Sequence, residues 1–157
     1  MNLILQTDPR LNAEINRYGC RFRCLLAIAE FETGRTLTPT AILQAYGDLV
    51  PGAMDVHCRC NGNESKISRW SLRALGSASR CYQIGLVRGC VQLEFWPAAR
   101  IYTLLKGLTH RHGEPGYEDE PGFHFRLGDR AGRLLFDPIP SAVILEEREV
   151  LVYQIVG

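Results

Sequence analysis

The run from Phe22 to Phe31 is apolar on almost every side and has strong helix formers at its centre. This pattern predicts a helix that is buried all round, because a surface helix keeps one polar face. Gly19 allows a sharp turn before the helix, and Cys20 then lies at the helix N-terminus. Free N–H groups and the helix dipole favour an anion there, so the thiol is expected to form the nucleophilic thiolate more readily. The alternative interpretation is that Cys20 is a small buried hydrophobic residue with no catalytic role.

Further helices are predicted on both sides of this segment. One turn of helix is expected before Gly19. Thr38 and Pro39 predict the N-cap and first residue of a helix that ends before Pro51. A short helix is predicted from Ser68 to Leu75, whereas the residues from 53 to 65 show no clear pattern.

The second half of the chain alternates in the manner of β-strands. Strands are predicted at residues 82–87, 91–95, 123–127, 133–136 and 150–156. Residues 97–105 fit a strand or a helix equally well, and the polar, Gly- and Pro-rich residues 110–122 predict a loop. Helices followed by a mostly antiparallel sheet predict an α+β fold, in a single domain over residues 1–157.

The strands around residues 123–136 predict a hairpin with its apolar side chains on one face. With a loop of two or four residues, Phe125 pairs with Phe136, and His124 pairs with Asp137 on the opposite face. A loop of three residues would shift the register and put Asp137 on the wrong face. The pattern therefore predicts a His–Asp pair, and the alternative is that this pair only closes the hairpin.

A cysteine at a helix N-terminus, a histidine and an acid are the groups that thiol catalysis needs. In that arrangement His124 takes the proton of Cys20, while Asp137 orients the imidazole and stabilises its cation. The sequence alone leaves open whether the cysteine and the hairpin meet.

The order Gly19-Cys20 before an apolar helix, His124 followed by an aromatic residue, and Asp137-Pro138 is similar to that of the papain-like cysteine peptidases. It is closest to the branch that processes bacteriocins with double-glycine leaders. It also resembles a small family of uncharacterised phage and bacterial proteins with the same Gly-Cys opening. The resemblance implies a papain-like fold and a catalytic triad of Cys20, His124 and Asp137. It further implies a hydrolase that needs no cofactor, a thiol protease or amidase cleaving peptide or isopeptide bonds through a thioester.

Two positions depart from the papain-like pattern. Such peptidases carry a glutamine about six residues before the cysteine, which helps to bind the oxyanion. That position is Glu14 here, and its carboxylate would repel the developing charge, so Asn16 or the more distant Gln6 is expected to substitute. Arg21 stands where a glycine usually follows the cysteine. An inert relative that binds a peptide or partner protein in the same groove is therefore the alternative.

A competing metal site is suggested by a cluster of soft and borderline ligands. His57, Cys58 and Cys60 lie close together in the sequence, and His110 and His112 follow downstream. Four of these side chains could bind zinc tetrahedrally, although Cys-x-Cys is tighter than the usual Cys-x₂-Cys spacing. The corresponding hypothesis is a small zinc-stabilised interaction module.

Composition narrows the expected partners. With 18 basic and 17 acidic residues, the net charge of +1 gives no reason to expect nucleic acid or an anionic membrane as partner. No basic start, signal-peptide pattern or stretch of transmembrane length is present. The 6 cysteines lack disulfide-scaffold spacing and predict reduced thiols in a cytoplasmic protein. The expected partner is a peptide or protein substrate, and the oligomeric state is left open.

Overall fold

The computed structural model describes residues 1–60, 62–88, 100–111 and 120–157. In these residues the helices are α1 (Ala13–Tyr18), α2 (Cys20–Thr33), α3 (Pro39–Leu49) and α4 (Glu64–Ala74). The strands are β1 (Arg80–Arg88), β2 (Ile101–Arg111), β3 (Glu120–Asp129), β4 (Leu134–Phe136) and β5 (Glu146–Val156). The helices precede the strands, so the architecture is α+β, as the order of helices and strands in the sequence predicts.

The strands form one antiparallel sheet in the order β1-β5-β2-β3-β4. The C-terminal strand β5 lies between β1 and β2, and β3 lies between β2 and β4. Helix α2 packs against both α4 and β3. This packing brings the first turn of α2 near the strand that carries His124.

Helix α2 is buried along its length, as the apolar pattern predicts. Residues 22–30 are all buried, and the helix ends at Gly34 in the left-handed conformation, with φ 69°. The pattern did not reveal that this segment also contains a fully buried ion pair. Arg23 Nη1 lies 2.6 Å from Glu30 Oε1, two turns along the same helix.

The turn before α2 depends on glycine for a different reason than predicted. The φ of Gly19 is −88°, an ordinary value for any residue. Its N–H donates to the carbonyl of Ile15 at 2.9 Å, and a Cβ at position 19 would lie 2.5 Å from that same oxygen. Gly19 therefore permits a close approach of α1 to the start of α2, rather than an unusual backbone angle.

Helix α3 begins as its sequence signals predict, because the Thr38 side chain accepts the N–H of Ala41 at 3.1 Å and Pro39 is the first helical residue. Helix α4 begins at Glu64, earlier than the predicted start at Ser68. Its first two residues therefore lie in the segment 53–65, which showed no clear pattern.

The strand predictions need two adjustments. The segment 97–105, which fitted a strand or a helix, is a strand from Ile101 onward. Both ends of the predicted loop 110–122 belong to strands, because β2 continues to Arg111 and β3 begins at Glu120. The predicted strand 91–95 lies outside the described residues. Among the helices of the described ranges, none has the length and apolar character needed to cross a membrane.

Candidate active site

Cys20 is the first residue of α2, and its side chain is partly exposed. The first hydrogen bond of the helix runs from the N–H of Arg23 to the carbonyl of Gly19 at 2.8 Å. The N–H groups of residues 20–22 therefore have no acceptor within the helix. The thiol thus lies beside free backbone donors at the positive end of the helix dipole.

His124 is contributed by β3, where it pairs with Gly107 of β2. The residue is 3% exposed, and its Nε2 lies 2.6 Å from Oδ1 of Asp137. The same carboxylate oxygen accepts the backbone N–H of Ile139 at 3.0 Å. Two contacts thus fix the carboxylate, which in turn fixes the orientation of the imidazole.

The electrostatics of His124 link it to both partners. Burial acts to lower the pKa of its imidazole, but hydrogen bonds to Asp137 and Cys20, together with the negative charges of these groups, raise the pKa to about 9. Because Nε2 is taken by Asp137, Nδ1 is the ring nitrogen left for the thiol. The structure therefore brings together Cys20, His124 and Asp137.

The hairpin that carries the His–Asp contact has a different register from the predicted one. The N–H of Asp129 donates to the carbonyl of Arg133 at 2.9 Å, so the connection has three residues. Gly128 then pairs with Leu134, one position away from the predicted pairing. Taken alone, this loop would turn Asp137 away from the histidine.

A β-bulge in β4 cancels the effect of the loop. The register shifts again between the Gly128 and Leu127 pairs, so that Leu127 faces Phe136 and Leu135 is the extra residue. Two single shifts restore the alternation, and Asp137 returns to the face of the hairpin that carries His124. The predicted direct pairing is wrong, yet the side-chain contact forms diagonally.

The N-terminal segment supports the loop that carries the acid. The N–H of Gln6 donates to the carbonyl of Pro138 at 3.1 Å, next to Asp137 in the chain. Arg23 Nε donates to the carbonyl of Ile4 at 2.7 Å. The segment is thus held between the central helix and the Asp137 loop.

Neither amide expected to bind an oxyanion is free to do so. Asn16 Nδ2 donates to the carbonyl of Gln6 at 2.7 Å and to that of Asp8 at 3.0 Å, which uses both amide hydrogens. Gln6 is 1% exposed, and its Nε2 donates to the carbonyl of Asn16 at 3.2 Å. Both side chains tie the N-terminal segment to α1, so the expectation that they face a substrate is wrong.

Glu14, at the position of the expected glutamine, is paired with a histidine. Its Oε2 lies 2.9 Å from Nδ1 of His57. The His57 ring packs on Tyr18 with centroids 4.7 Å apart and a tilt of 58°. Sequence reasoning missed this arrangement, because it joins residues 43 positions apart that share no local motif.

The zinc hypothesis fails for the part of the chain that the structure describes. His57 is directed to Glu14, whereas burial raises the pKa values of the Cys58 and Cys60 thiols to about 12. No three His, Cys, Asp or Glu side chains of the described residues converge on a metal position. The side chain of His110 and all of His112 lie outside the described residues.

Arg21, where a glycine was expected, is directed to the protein interior. Its Nη2 lies 2.5 Å from Glu64 Oε1, and its guanidinium lies 5.2 Å from the centre of the Phe125 ring. Phe125 follows His124 in β3, so Arg21 links the first turn of α2 to the histidine strand.

A separate open cavity of about 520 Å³ lies at the far end of α2, where Phe31 and Glu32 contribute to its lining. Glu32 is already engaged there, since it accepts from Arg100 Nε at 2.6 Å and from the Tyr102 hydroxyl at 2.9 Å. None of the three triad residues lines it.

Comparison with known proteins assigns no family. No family model, curated protein or solved structure matches the chain. A functional proposal therefore rests on the geometry of Cys20, His124 and Asp137.

Proposed function

We propose that this protein is a papain-like cysteine peptidase or amidase, in which Cys20 is the nucleophile, His124 the base and then the acid, and Asp137 the orienting group. The supporting observation is the meeting of these three side chains, which come from α2, β3 and the segment after β4. A helix N-terminus, an imidazole and a carboxylate are the parts of an activated thiol. The helices followed by an antiparallel sheet are compatible with a papain-like fold.

The proposed reaction uses each of these three side chains in turn. Nδ1 of His124 takes the thiol proton of Cys20, and the thiolate attacks the carbonyl carbon of an amide to form a C–S bond and an oxyanion. The intermediate collapses as the C–N bond breaks, and His124 returns the proton to the leaving amine. Water, deprotonated by His124, then attacks the thioester, the C–S bond breaks and the acid product leaves.

The substrate class is a peptide or isopeptide bond, because this chemistry transfers acyl groups from amides. The thiol has to remain reduced to act, which suits a reducing compartment such as the cytoplasm. Cys20, Cys24, Cys58, Cys60 and Cys81 are all free thiols, in keeping with the expectation from their spacing. Cys90 lies outside the described residues.

Two measurements on the same preparations test the proposal. Iodoacetamide should alkylate Cys20 before the other cysteines, as mapped by mass spectrometry. Cys20 is partly exposed and interacts with the His124 imidazole, whereas Cys24 is fully buried. His124→Gln should slow that alkylation. A fluorogenic peptide-amide library should be cleaved by the wild type but not by Cys20→Ala. First reaction at Cys58 or Cys60, or equal rates with and without His124, contradicts the proposal.

The hydrogen bonding of the Asn16 and Gln6 side chains favours a second candidate function. Because Asn16 and Gln6 are committed to the N-terminal segment, an inert relative that binds a peptide in the same groove would show the same geometry. Such a protein would bind library peptides equally well as wild type and as Cys20→Ala, without turnover by either.

A further inference from the structure

We infer that the open cavity at the far end of α2 binds a small ligand in which a carboxylate lies next to an apolar group, as in the C-terminal residue of a peptide. Its volume of about 520 Å³ is within the range of small-molecule sites. Phe31, which lines it, is about 17 Å from Cys20 along the axis of α2. Binding at this cavity is therefore separate from the proposed hydrolysis and does not require it.

The walls of the cavity combine apolar surface with a surplus of positive charge. They are formed by the end of α2, the start of β2, the loop between β3 and β4, and the bulge residue of β4. Apolar surface comes from Phe31, Ile101 and Leu135. The charged side chains are those of Glu32, Asp129, Arg100, Arg130 and Arg133. Three guanidinium groups against two carboxylates leave a net charge of +1, which matches a ligand with one negative charge.

Both carboxylates of the cavity are already hydrogen-bonded at both of their oxygens. Glu32 accepts from Arg100 Nε with one oxygen and from the Tyr102 hydroxyl with the other. Asp129 Oδ1 accepts two backbone N–H groups of its own loop, each at 2.9 Å, and its Oδ2 accepts Arg133 Nε at 3.1 Å. These bonds hold the β3–β4 loop in a fixed shape and leave the carboxylates without a free oxygen for a further cation.

Arg100 is a fixed part of the wall. Its Nη1 donates to the carbonyl of Gly157 at 2.7 Å and its Nη2 donates to Ser79 Oγ at 2.9 Å, while Nε is bonded to Glu32. Its φ of 61° lies in the left-handed region, which is uncommon for a residue other than glycine. Such strained positions concentrate at ligand sites, where the surrounding contacts maintain them. Arg100 thus neutralises Glu32 and shapes the cavity.

The donors that remain for a ligand belong to Arg130 and Arg133. Arg133 uses only Nε, and its side chain is 82% exposed, so both terminal nitrogens are accessible. Arg130 is half-buried, yet it has no hydrogen bond or ion pair with any other residue that the structure describes. Partial burial of a guanidinium without an opposite charge is unfavourable, because the lost contacts with water are not replaced. An anion in the cavity would replace them.

A carboxylate next to an apolar group fits both features of the walls. Its two oxygens can accept two parallel N–H bonds from one guanidinium, and its single charge balances the surplus of the cavity. The side chains of Phe31, Ile101 and Leu135 can bury the neighbouring apolar group. A phosphate monoester would bring up to two negative charges to walls that carry one positive charge, and it therefore fits less well.

NMR titration of the ¹⁵N-labelled protein with N-acetyl-phenylalanine tests the site. The backbone signals of residues 129–135 and the arginine Nε–H signals of Arg130 and Arg133 should shift on binding. N-acetyl-phenylalaninamide lacks the charge and acetate lacks the ring, so each should bind about tenfold more weakly or worse. Arg130→Gln should also weaken binding about tenfold. Arg73→Gln is the matched control and should stay within about twofold, because it removes the same charge from an exposed position on α4 outside the cavity.

The remaining outcomes also decide the matter. Equal binding of the acid and its amide, unchanged affinity in Arg130→Gln, or shifts confined to other residues would overturn the inference. Tighter binding of phenyl phosphate than of N-acetyl-phenylalanine would overturn the choice of a carboxylate. Binding of 3-phenylpropionate as tight as that of N-acetyl-phenylalanine supports a free acid as the ligand, and weaker binding supports the end of a peptide. The ligand series uses the wild type, so it remains decisive even if Arg130→Gln does not fold.

Discussion

Oδ1 of Asp137 lies 2.6 Å from Nε2 of His124 and also accepts the N–H of Ile139. The backbone N–H of Ile139 therefore holds the carboxylate in position independently of its contact with the imidazole. A ring held at Nε2 can present only Nδ1 to the thiol of Cys20. The His–Asp contact thus determines which nitrogen takes part in the proposed proton transfer.

Substitution of Asp137 should separate orientation of the ring from the charge of the acid. Asp137→Ala removes both, and the rate of Cys20 alkylation at neutral pH should fall about tenfold, since one unit of imidazole pKa corresponds to a factor of ten. Asp137→Asn should lose less, because the amide oxygen still accepts the ring N–H. Alkylation rates at Cys20, resolved by mass spectrometry, should follow the order wild type, Asn, Ala.

The control for this series is the fold of the variants. The apolar packing of Phe125, Leu127 and Phe136 is untouched, so circular dichroism spectra should be unchanged in both variants. Equal alkylation rates in all three proteins would mean that the His–Asp pair is only a sheet contact.

The pKa of His124 also predicts a pH dependence of stability. The folded imidazole has a pKa of about 9 against an ordinary 6.5, so the folded state binds this proton more tightly than the unfolded state. The resulting stabilisation, about 3 kcal/mol, is fully present below pH 6.5 and is lost as the pH rises through 9. Urea unfolding from pH 6 to 10 should show it as the difference between wild type and His124→Gln. A constant difference over that range would contradict it.

The hairpin shows what the alternation of apolar and polar residues in a strand can predict and what it cannot. Alternation placed His124 and Asp137 on one face, and they do meet. The three-residue loop and the bulge at Leu135 were not predictable, because each depends on local backbone geometry rather than on hydrophobic order. Their two shifts cancel, so the contact was predicted through a pairing that the structure does not contain.

The charged contacts of Arg23 and of His57 could not be predicted from the sequence, for a different reason. The apolar run predicted the burial of α2, but a single arginine and glutamate within it gave no sign that they pair two turns apart. The cysteines beside His57 suggested a zinc site as the competing hypothesis, whereas the partner of His57 is Glu14 of α1. Such pairs depend on how the side chains pack in the folded protein, and the hydrophobic periodicity of the sequence does not indicate them.

The buried pair inside α2 should be sensitive to the loss of one partner alone. Arg23 and Glu30 are both 0% exposed, and Glu30 Oε2 also accepts the N–H of Leu37 at 3.0 Å. Arg23→Leu leaves the carboxylate without its cation and should reduce the free energy of unfolding by about 3–5 kcal/mol. The double variant Arg23→Leu/Glu30→Gln removes the charge and keeps an acceptor for Leu37, so it should be less destabilised. Urea unfolding measures both, and a double variant no more stable than the single one would argue against an unpaired charge as the cause.

Gly19 joins α1 to the nucleophile, and a methyl group at this position should disturb both. A Cβ would lie 2.5 Å from the carbonyl oxygen of Ile15, so the two helices have to move apart in Gly19→Ala. We expect a loss of about 1–3 kcal/mol in the free energy of unfolding, the range for overpacking. Slower alkylation of Cys20 should accompany it, because the thiol shifts relative to His124.

Gly47→Ala is the matched control, since nothing lies within 4 Å of a Cβ there, and an alanine within α3 should stabilise by up to about 1 kcal/mol. If Gly19→Ala behaved like Gly47→Ala in both measurements, the close approach of α1 to α2 would have no part in positioning the thiol.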